Sequence, residues 1–98
     1  MGCKIIFAPQ AIADLAEIVR HIAEDDPQTA IRIGDALIDR AAILVNFPLL
    51  GPPYPKRPGV RKLVSKPYLI FYRAFPEQGR VDILRYWHSA RGEPTIQE

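Results

Sequence analysis

A chain of 98 residues that is 48% hydrophobic and 24% charged has the size and composition of one domain, 1–98, built on a single core. No run approaches the ~20 apolar residues of a membrane span, and the opening MGCKIIFAPQ lacks the parts of a secretory signal, so a cytoplasmic protein with no membrane contact is expected. The net charge of +2 hides a segregation that decides the search for a site. Residues 1–48 hold four bases against seven acids, net −3, and residues 49–98 hold nine bases against four acids, net +5. Such a field attracts an anionic partner, either phosphate backbone or acidic peptide.

Lys4 to Phe7 is short, apolar and β-branched, which predicts a first strand. Pro9 suits the first turn of a helix, where its missing N–H is not needed; Ala8 before it offers no capping side chain. Ala11, Ile12, Leu15, Ile18, Val19 and Ile22 recur at helical steps and predict one buried face. Gln10, Asp14, Glu17, Arg20, His21 and Glu24 fall on the other side, so His21 is expected in solvent without a catalytic role. Asp26 followed by Pro27 starts a second helix as its N-cap and first residue. Its apolar face is Ala30, Ile33, Leu37, Ala41, Leu44 and Val45, closed by Phe47. Gly34 within it is expected to let the two helices approach closely.

Five prolines between Phe47 and Gly59 predict a stiff, extended crossing. Val60 to Ser65 then reads as a strand, Lys66-Pro67 as a turn, and Tyr68 to Phe75 as a strand. The latter is apolar on both faces (Leu69 and Phe71 on one, Tyr68, Ile70 and Tyr72 on the other) and so is expected at the centre of the sheet. Pro76 to Gly79 is a hairpin turn with Gly79 at positive φ, and Val81 to Trp87 is the last strand. Residues 92–98 are expected to form a flexible tail. The predicted fold class is α+β: an N-terminal strand, then a helical hairpin packed on an antiparallel sheet completed by a three-stranded C-terminal meander. The helices are expected to bury Ile12, Leu15, Val19, Leu37, Leu44, Leu69 and Phe71.

One cysteine excludes an internal disulfide and a thiolate cluster, and Cys3 reads as a small apolar residue. Neither His21 nor His88 has ligand-type neighbours at metal spacing, so no metal and no cofactor are expected. Nearly all residues with chemical potential lie between Arg61 and Arg91. An imidazole can act as acid or base, which makes His88 a candidate for either role, and Arg61 and Arg91 can clamp a phosphate through paired N–H donors. Lys56, Arg57, Lys62, Lys66, Arg73 and Arg85 are candidates for phosphate or partner binding. Arg61 reads equally well as a cross-sheet partner of Asp82 or Glu77. Arg85 alternates in phase with Val81, Ile83 and Trp87, as a buried ion needing a partner or as a contact on the sheet face. Tyr68, Tyr72, Tyr86 and Trp87 read as packing residues.

The order of elements, with FAPQAIADL, NFPLLG, GVRKL, YLIFYR and VDILRYWHSARGEP in sequence, resembles the RelE/ParE family of bacterial toxins over nearly the whole chain. The resemblance implies the toxin of a type II toxin–antitoxin pair, neutralised by a cognate acidic antitoxin that folds over it. It also implies one of two targets. ParE-like members bind and poison DNA gyrase; RelE-like members are metal-independent endoribonucleases that cut messenger RNA on the ribosome, which would make Arg61, His88 and Arg91 catalytic. RNA-cleaving relatives place an Arg where this chain has Val64 and a Tyr near the C-terminus that is absent after Arg91. Gyrase inhibition is therefore the expected activity, with ribosome-dependent cleavage, or antitoxin binding alone, as the alternatives. The mechanistic expectation is that Arg61, His88 and Arg91 converge on one pocket of a cationic sheet.

Overall fold

Lys4–Phe7 forms β1, the first element of a computed structural model that describes residues 2–96. Ala8 turns the chain with φ −61° and ψ 151° and makes no side-chain cap, and Pro9 opens α1 (Pro9–Ala23). The start of α2 (Pro27–Ala42) is fixed locally by Asp26, whose carboxylate accepts from the Thr29 N–H at 3.1 Å and the Thr29 hydroxyl at 2.6 Å. Those bonds hold the Asp26 carboxyl below its usual range. The helices pack as an antiparallel hairpin with Gly34 at the crossing: a Cβ there would lie 3.1 Å from Val19 Cγ2. A 3-10 turn, Ile43–Val45, extends α2, and the Val45 carbonyl accepts from the Cys3 N–H at 2.7 Å beside β1.

The remaining strands are β2 (Arg61–Ser65), β3 (Tyr68–Phe75) and β4 (Arg80–His88), in the spatial order β1-β4-β3-β2. β2, β3 and β4 form the expected antiparallel meander, with Gly79 at φ 61° in the last turn. β1 pairs with β4 in parallel, Lys4 opposite Arg80 and Phe7 opposite Ile83. The sheet is thus mixed, where an antiparallel one was expected. The helical hairpin carries the chain back across the sheet before β4 is laid beside β1, and such a crossover delivers parallel strands.

Two apolar clusters flank the sheet. On the helix side Ala11, Leu37, Ala41 and Leu44 bury Leu63, Ile70, Tyr72, Val81, Ile83 and Tyr86. On the back, Val60, Phe71, Leu84, Trp87 and Ile96 form a smaller cluster joined by Tyr54 and Leu69. Leu69 and Phe71 therefore do not meet the helices as expected, because alternation along β3 sends them to the opposite face from Ile70 and Tyr72. The proline-rich segment is not a plain crossing: it runs back along β2, with Pro53 bridged to Arg61 and the Pro52 carbonyl accepting from Lys62 N–H at 3.0 Å. Phe47 is 61% exposed and does not close the face of α2. Of the expected tail, Ile96 is buried in the back cluster; residues 97 and 98 lie outside the described residues. No helix among the described residues is long and apolar enough to cross a membrane.

α1 is rotated from its predicted orientation. Ile12 is 57% exposed, whereas Asp14 is buried. β1 is four residues long and β4 nine, so the outer edge of β4 beyond Ile83 has no strand beside it. α1 lies there instead, and its Asp14 carboxylate accepts from Tyr86 N–H at 3.1 Å, from Arg85 Nε at 2.7 Å and Nη2 at 2.9 Å, and from Gln10 Nε2 at 3.3 Å. The register of β3 and β4 shifts at Phe71/Tyr72: Tyr72 faces Ile83 and Phe71 faces Arg85, which leaves Leu84 over. This bulge puts Arg85 out of phase with Val81 and Ile83 and brings its guanidinium to Asp14.

Two outcomes follow for stability. Asp14→Asn leaves Arg85 buried without its counter-charge and is expected to cost about 3–5 kcal/mol in urea denaturation; replacing both residues by apolar ones of similar volume is expected to cost less than that single change. The Tyr86 hydroxyl donates to the Leu37 carbonyl at 3.0 Å, and burial pushes its phenol up to about 12 from 10.0. The folded state holds this proton longer than the unfolded chain, so the contribution of Tyr86 is intact below pH 10 and is lost as pH rises toward 12. Tyr86→Phe is expected to lose about 1 kcal/mol at neutral pH and to flatten the alkaline limb of the stability–pH curve.

Candidate functional site

The residues predicted to carry chemistry separate into two groups at different places on the sheet, with two others consumed by the architecture. The first group gathers where β4 ends. His88 lies opposite Tyr68 of β3, its ring edge-on to the phenol with centroids 5.4 Å apart. Ser89–Arg91 then make a 3-10 turn held on three sides. The Ala90 N–H donates to His88 Nδ1 at 3.0 Å, the Ser89 N–H to the Pro67 carbonyl at 2.9 Å, and Trp87 Nε1 to the Gly92 carbonyl at 3.0 Å. The Arg91 guanidinium rests 4.1 Å from the Trp87 ring centre, and Arg85 rests 4.7 Å from it. Lys66 is exposed in the turn between β2 and β3 at the same end of the sheet.

His88 and Arg91 line a cleft of about 310 Å³ with Asp14, Glu17, Ile18 and His21 of α1, Tyr68 of β3 and Tyr86 of β4. With Nδ1 accepting from Ala90, the neutral His88 ring carries its proton on Nε2. It offers the cleft a hydrogen-bond donor, not a base. Burial raises the Tyr68 phenol above its ordinary range, so this hydroxyl is a neutral donor as well. The two acids of the wall are engaged: Asp14 with Arg85, and Glu17 with Arg20. His21 is in solvent as expected, 83% exposed and 3.5 Å from Glu24, yet it stands at the rim of this cleft. Asp14, Glu17 and His21 belong to the stripe that helical period assigns to solvent, yet they form one wall of this cleft. Asp14 stands three residues after Ala11 and just before Leu15, on the border of the apolar stripe, and that placement is the local mark of an interior acid.

The second group lies on the back of the sheet. The Lys62 ammonium is 5.9 Å from the Tyr54 ring centre, and Tyr54 packs edge-on against Phe71 at 5.0 Å. Lys56 pairs with Glu93. Arg73 faces Asp82 in register, and its guanidinium fills the space where a side chain at Gly59 would stand, with Gly59 at φ 82°. Arg57 is half-buried in the same loop, its N–H donating to the Tyr54 carbonyl at 3.2 Å. Beside them is an open apolar hollow of about 860 Å³ lined by Ile6, Phe75 and Leu84 with Arg73 and Asp82.

Arg61 and Arg85 serve the fold. Arg85 is 11% exposed and bound to Asp14. Arg61 Nη1 donates to the carbonyls of Gly51 at 2.8 Å and Leu49 at 3.4 Å and ties the proline-rich segment down. It pairs with neither Asp82 nor Glu77: it lies opposite Tyr72, while Asp82 pairs with Arg80 at 3.0 Å. The expected convergence of Arg61 with His88 and Arg91 does not occur. Arg61 is in register with Tyr72 and His88 with Tyr68, with β3 between them, a separation on the order of 16 Å between backbones. Among the described residues no three of His, Cys, Asp and Glu are grouped to hold a metal ion.

A sequence model of the ParE toxin of the parDE type II toxin–antitoxin system matches residues 5–92. The structure is similar to that of a chromosomal ParDE TA system from P. aeruginosa, with TM-score 0.75 and 23% identity over 88% of this chain and 95% of that one. It is also similar to the toxin–antitoxin complex RelBE2 from Mycobacterium tuberculosis, with TM-score 0.70 and 27% identity over 90% of this chain and 99% of that one. No curated protein matches the chain.

Because Arg61 satisfies carbonyls of the segment before β2, Arg61→Gln is expected to lower stability by about 1.5–3 kcal/mol, read from urea denaturation. The cleft at His88 is expected to be unchanged, read from the side-chain NMR signals of His21 and His88.

Proposed function

This chain belongs to the ParE toxin family of type II toxin–antitoxin systems, and from that premise we propose that it binds and inhibits DNA gyrase and does not cleave RNA. The observation that carries the reading is the separation of Arg61 from His88 and Arg91, residues that a ribonuclease site would need together. Metal-free cleavage of RNA requires a base for the ribose 2′-OH, an acid for the leaving oxygen and cations around the phosphate in one place. Here Arg61 is bound to the Gly51 and Leu49 carbonyls away from His88, and the Nδ1 of His88 is occupied by Ala90. A binding protein needs no such convergence, only a stable surface.

A cognate antitoxin is the second partner in this reading, and an acidic, amphipathic segment is its expected form. The back of the sheet supplies complementary chemistry: exposed Ile6 and half-buried Phe75 beside Arg73, with Lys62 of β2 over the Tyr54 ring on the same face. Positive charge of this kind steers an acidic chain onto an apolar floor.

The test uses the purified full chain in a gyrase supercoiling assay and in a ribosome-programmed messenger RNA cleavage assay. Expected are inhibited supercoiling that survives His88→Asn, relief of inhibition by the cognate antitoxin, and intact messenger RNA. Messenger RNA cut on the ribosome, with cutting abolished by His88→Asn or Arg91→Gln, overturns the reading in favour of the ribonuclease.

A further inference from the structure

We infer that the cleft between α1 and the end of β4 is a binding site for a phosphomonoester, held by the Arg91 guanidinium, the Nε2–H of His88 and the Tyr68 hydroxyl. The inference goes beyond the choice of toxin target and rests on donors that have no acceptor. Among the described residues the Arg91 guanidinium makes no hydrogen bond or ion pair and rests on the face of Trp87. The Tyr68 hydroxyl and His88 Nε2 likewise have no acceptor there, the ring contact between them and the Nδ1 bond apart. All three residues line the same cleft. Arg91 presents five N–H donors and no acceptor, so the ligand that completes this set must be rich in acceptors and carry negative charge. A tetrahedral phosphate does both and takes guanidinium donors in pairs.

The donors are also held in advance. The turn Ser89–Arg91 is pinned to the Pro67 carbonyl, to the His88 ring and through Gly92 to the Trp87 indole, and Arg91 is stacked on that indole. Fixing donors before the ligand arrives removes an ordering cost from binding. The acids of the wall do not oppose the anion freely. Asp14 is neutralised by Arg85 and Glu17 is paired with Arg20, while Glu24 faces His21 at the rim. The volume of about 310 Å³ exceeds a bare phosphate and includes Ile18 and the rings of Tyr68 and Tyr86, which gives the ester group an apolar wall. A nucleoside monophosphate and inorganic phosphate share the recognised chemistry, and the ester is expected to bind more tightly.

The experiment is a calorimetric titration of the full chain with a 5′-nucleoside monophosphate, with inorganic phosphate and with glutamate, all at matched ionic strength. Trp87 is the single tryptophan, so its emission is followed in parallel as a reporter placed under Arg91. One saturable site for the monophosphate, a change in Trp87 emission at the same concentrations and weaker binding of inorganic phosphate are expected. Arg91→Gln should weaken binding about tenfold or more. His88→Asn, which keeps a side-chain acceptor for the Ala90 N–H but loses the Nε2–H donor, should weaken it by a smaller factor, with an unchanged melting temperature. The absence of saturation, an equal response to glutamate, or undiminished binding by Arg91→Gln overturns the inference; phosphate bound as tightly as the ester overturns the assignment to an ester.

Discussion

The buried carboxylate of Asp14 is the interaction on which the arrangement of helices and sheet depends. Four donors from three places converge on it: Gln10 within α1, both sides of the Arg85 guanidinium, and the backbone N–H of Tyr86. The need for such a group follows from strand lengths. β1 stops at Phe7 while β4 continues to His88, and a strand edge with nothing beside it leaves N–H groups that are costly to bury unpaired. α1 takes the place of the missing strand, and Asp14 supplies the acceptor that a strand would have supplied. The same carboxylate balances the charge of Arg85, which the β-bulge delivers to it. A bidentate guanidinium–carboxylate pair with a further backbone donor fixes both distance and rotation, which is why α1 is turned with Ile12 outward.

That anchoring has a consequence at the end of β4. Arg85 touches Asp14 on one side and the Trp87 ring on another, and Arg91 stacks on the same ring. The orientation of α1 and the placement of the last turn are therefore linked through a short series of contacts. The cleft that contains His88 is made by this linkage: one wall is the polar stripe of α1, the other the ends of β3 and β4. On the back of the sheet a different logic holds. There the proline-rich segment, Tyr54 and Ile96 cover Phe71, Leu84 and Trp87, and the part left open is the hollow around Ile6 and Phe75. Basic residues that read as one cationic platform are thus divided between two faces, because alternation along a strand sends neighbours to opposite sides.

Much of the scaffold was legible in the residues. The extent of β3, the Asp26 cap, the Pro9 and Pro27 helix starts, the close approach at Gly34 and the positive φ of Gly79 are all set within a few residues of sequence. Each reflects a local rule: a capping oxygen, a missing N–H, a missing Cβ. The five segments that resemble the toxin family also stand in the order of the observed elements. What misled was phase. Arg85, Val81, Ile83 and Trp87 share parity in the sequence, but the bulge at Leu84 separates them onto two faces. Ile12 and Asp14 changed places for a related reason, since helical period alone does not say which of two adjacent stripes will meet the sheet.

Composition and local pattern determined the α+β class, with a helical hairpin, a C-terminal meander and a basic second half, and they placed His88 and Arg91 just after the last strand. The tertiary structure alone decided that β1 lies parallel to β4, that Asp14 is interior, that Arg61 is engaged with carbonyls before β2, and that His88 presents Nε2–H to a cleft shared with α1. These depend on which backbone groups a distant segment leaves unpaired. Hydrogen-bonding demand is satisfied across the fold, between residues as far apart as 14 and 86, and so no window of sequence contains it.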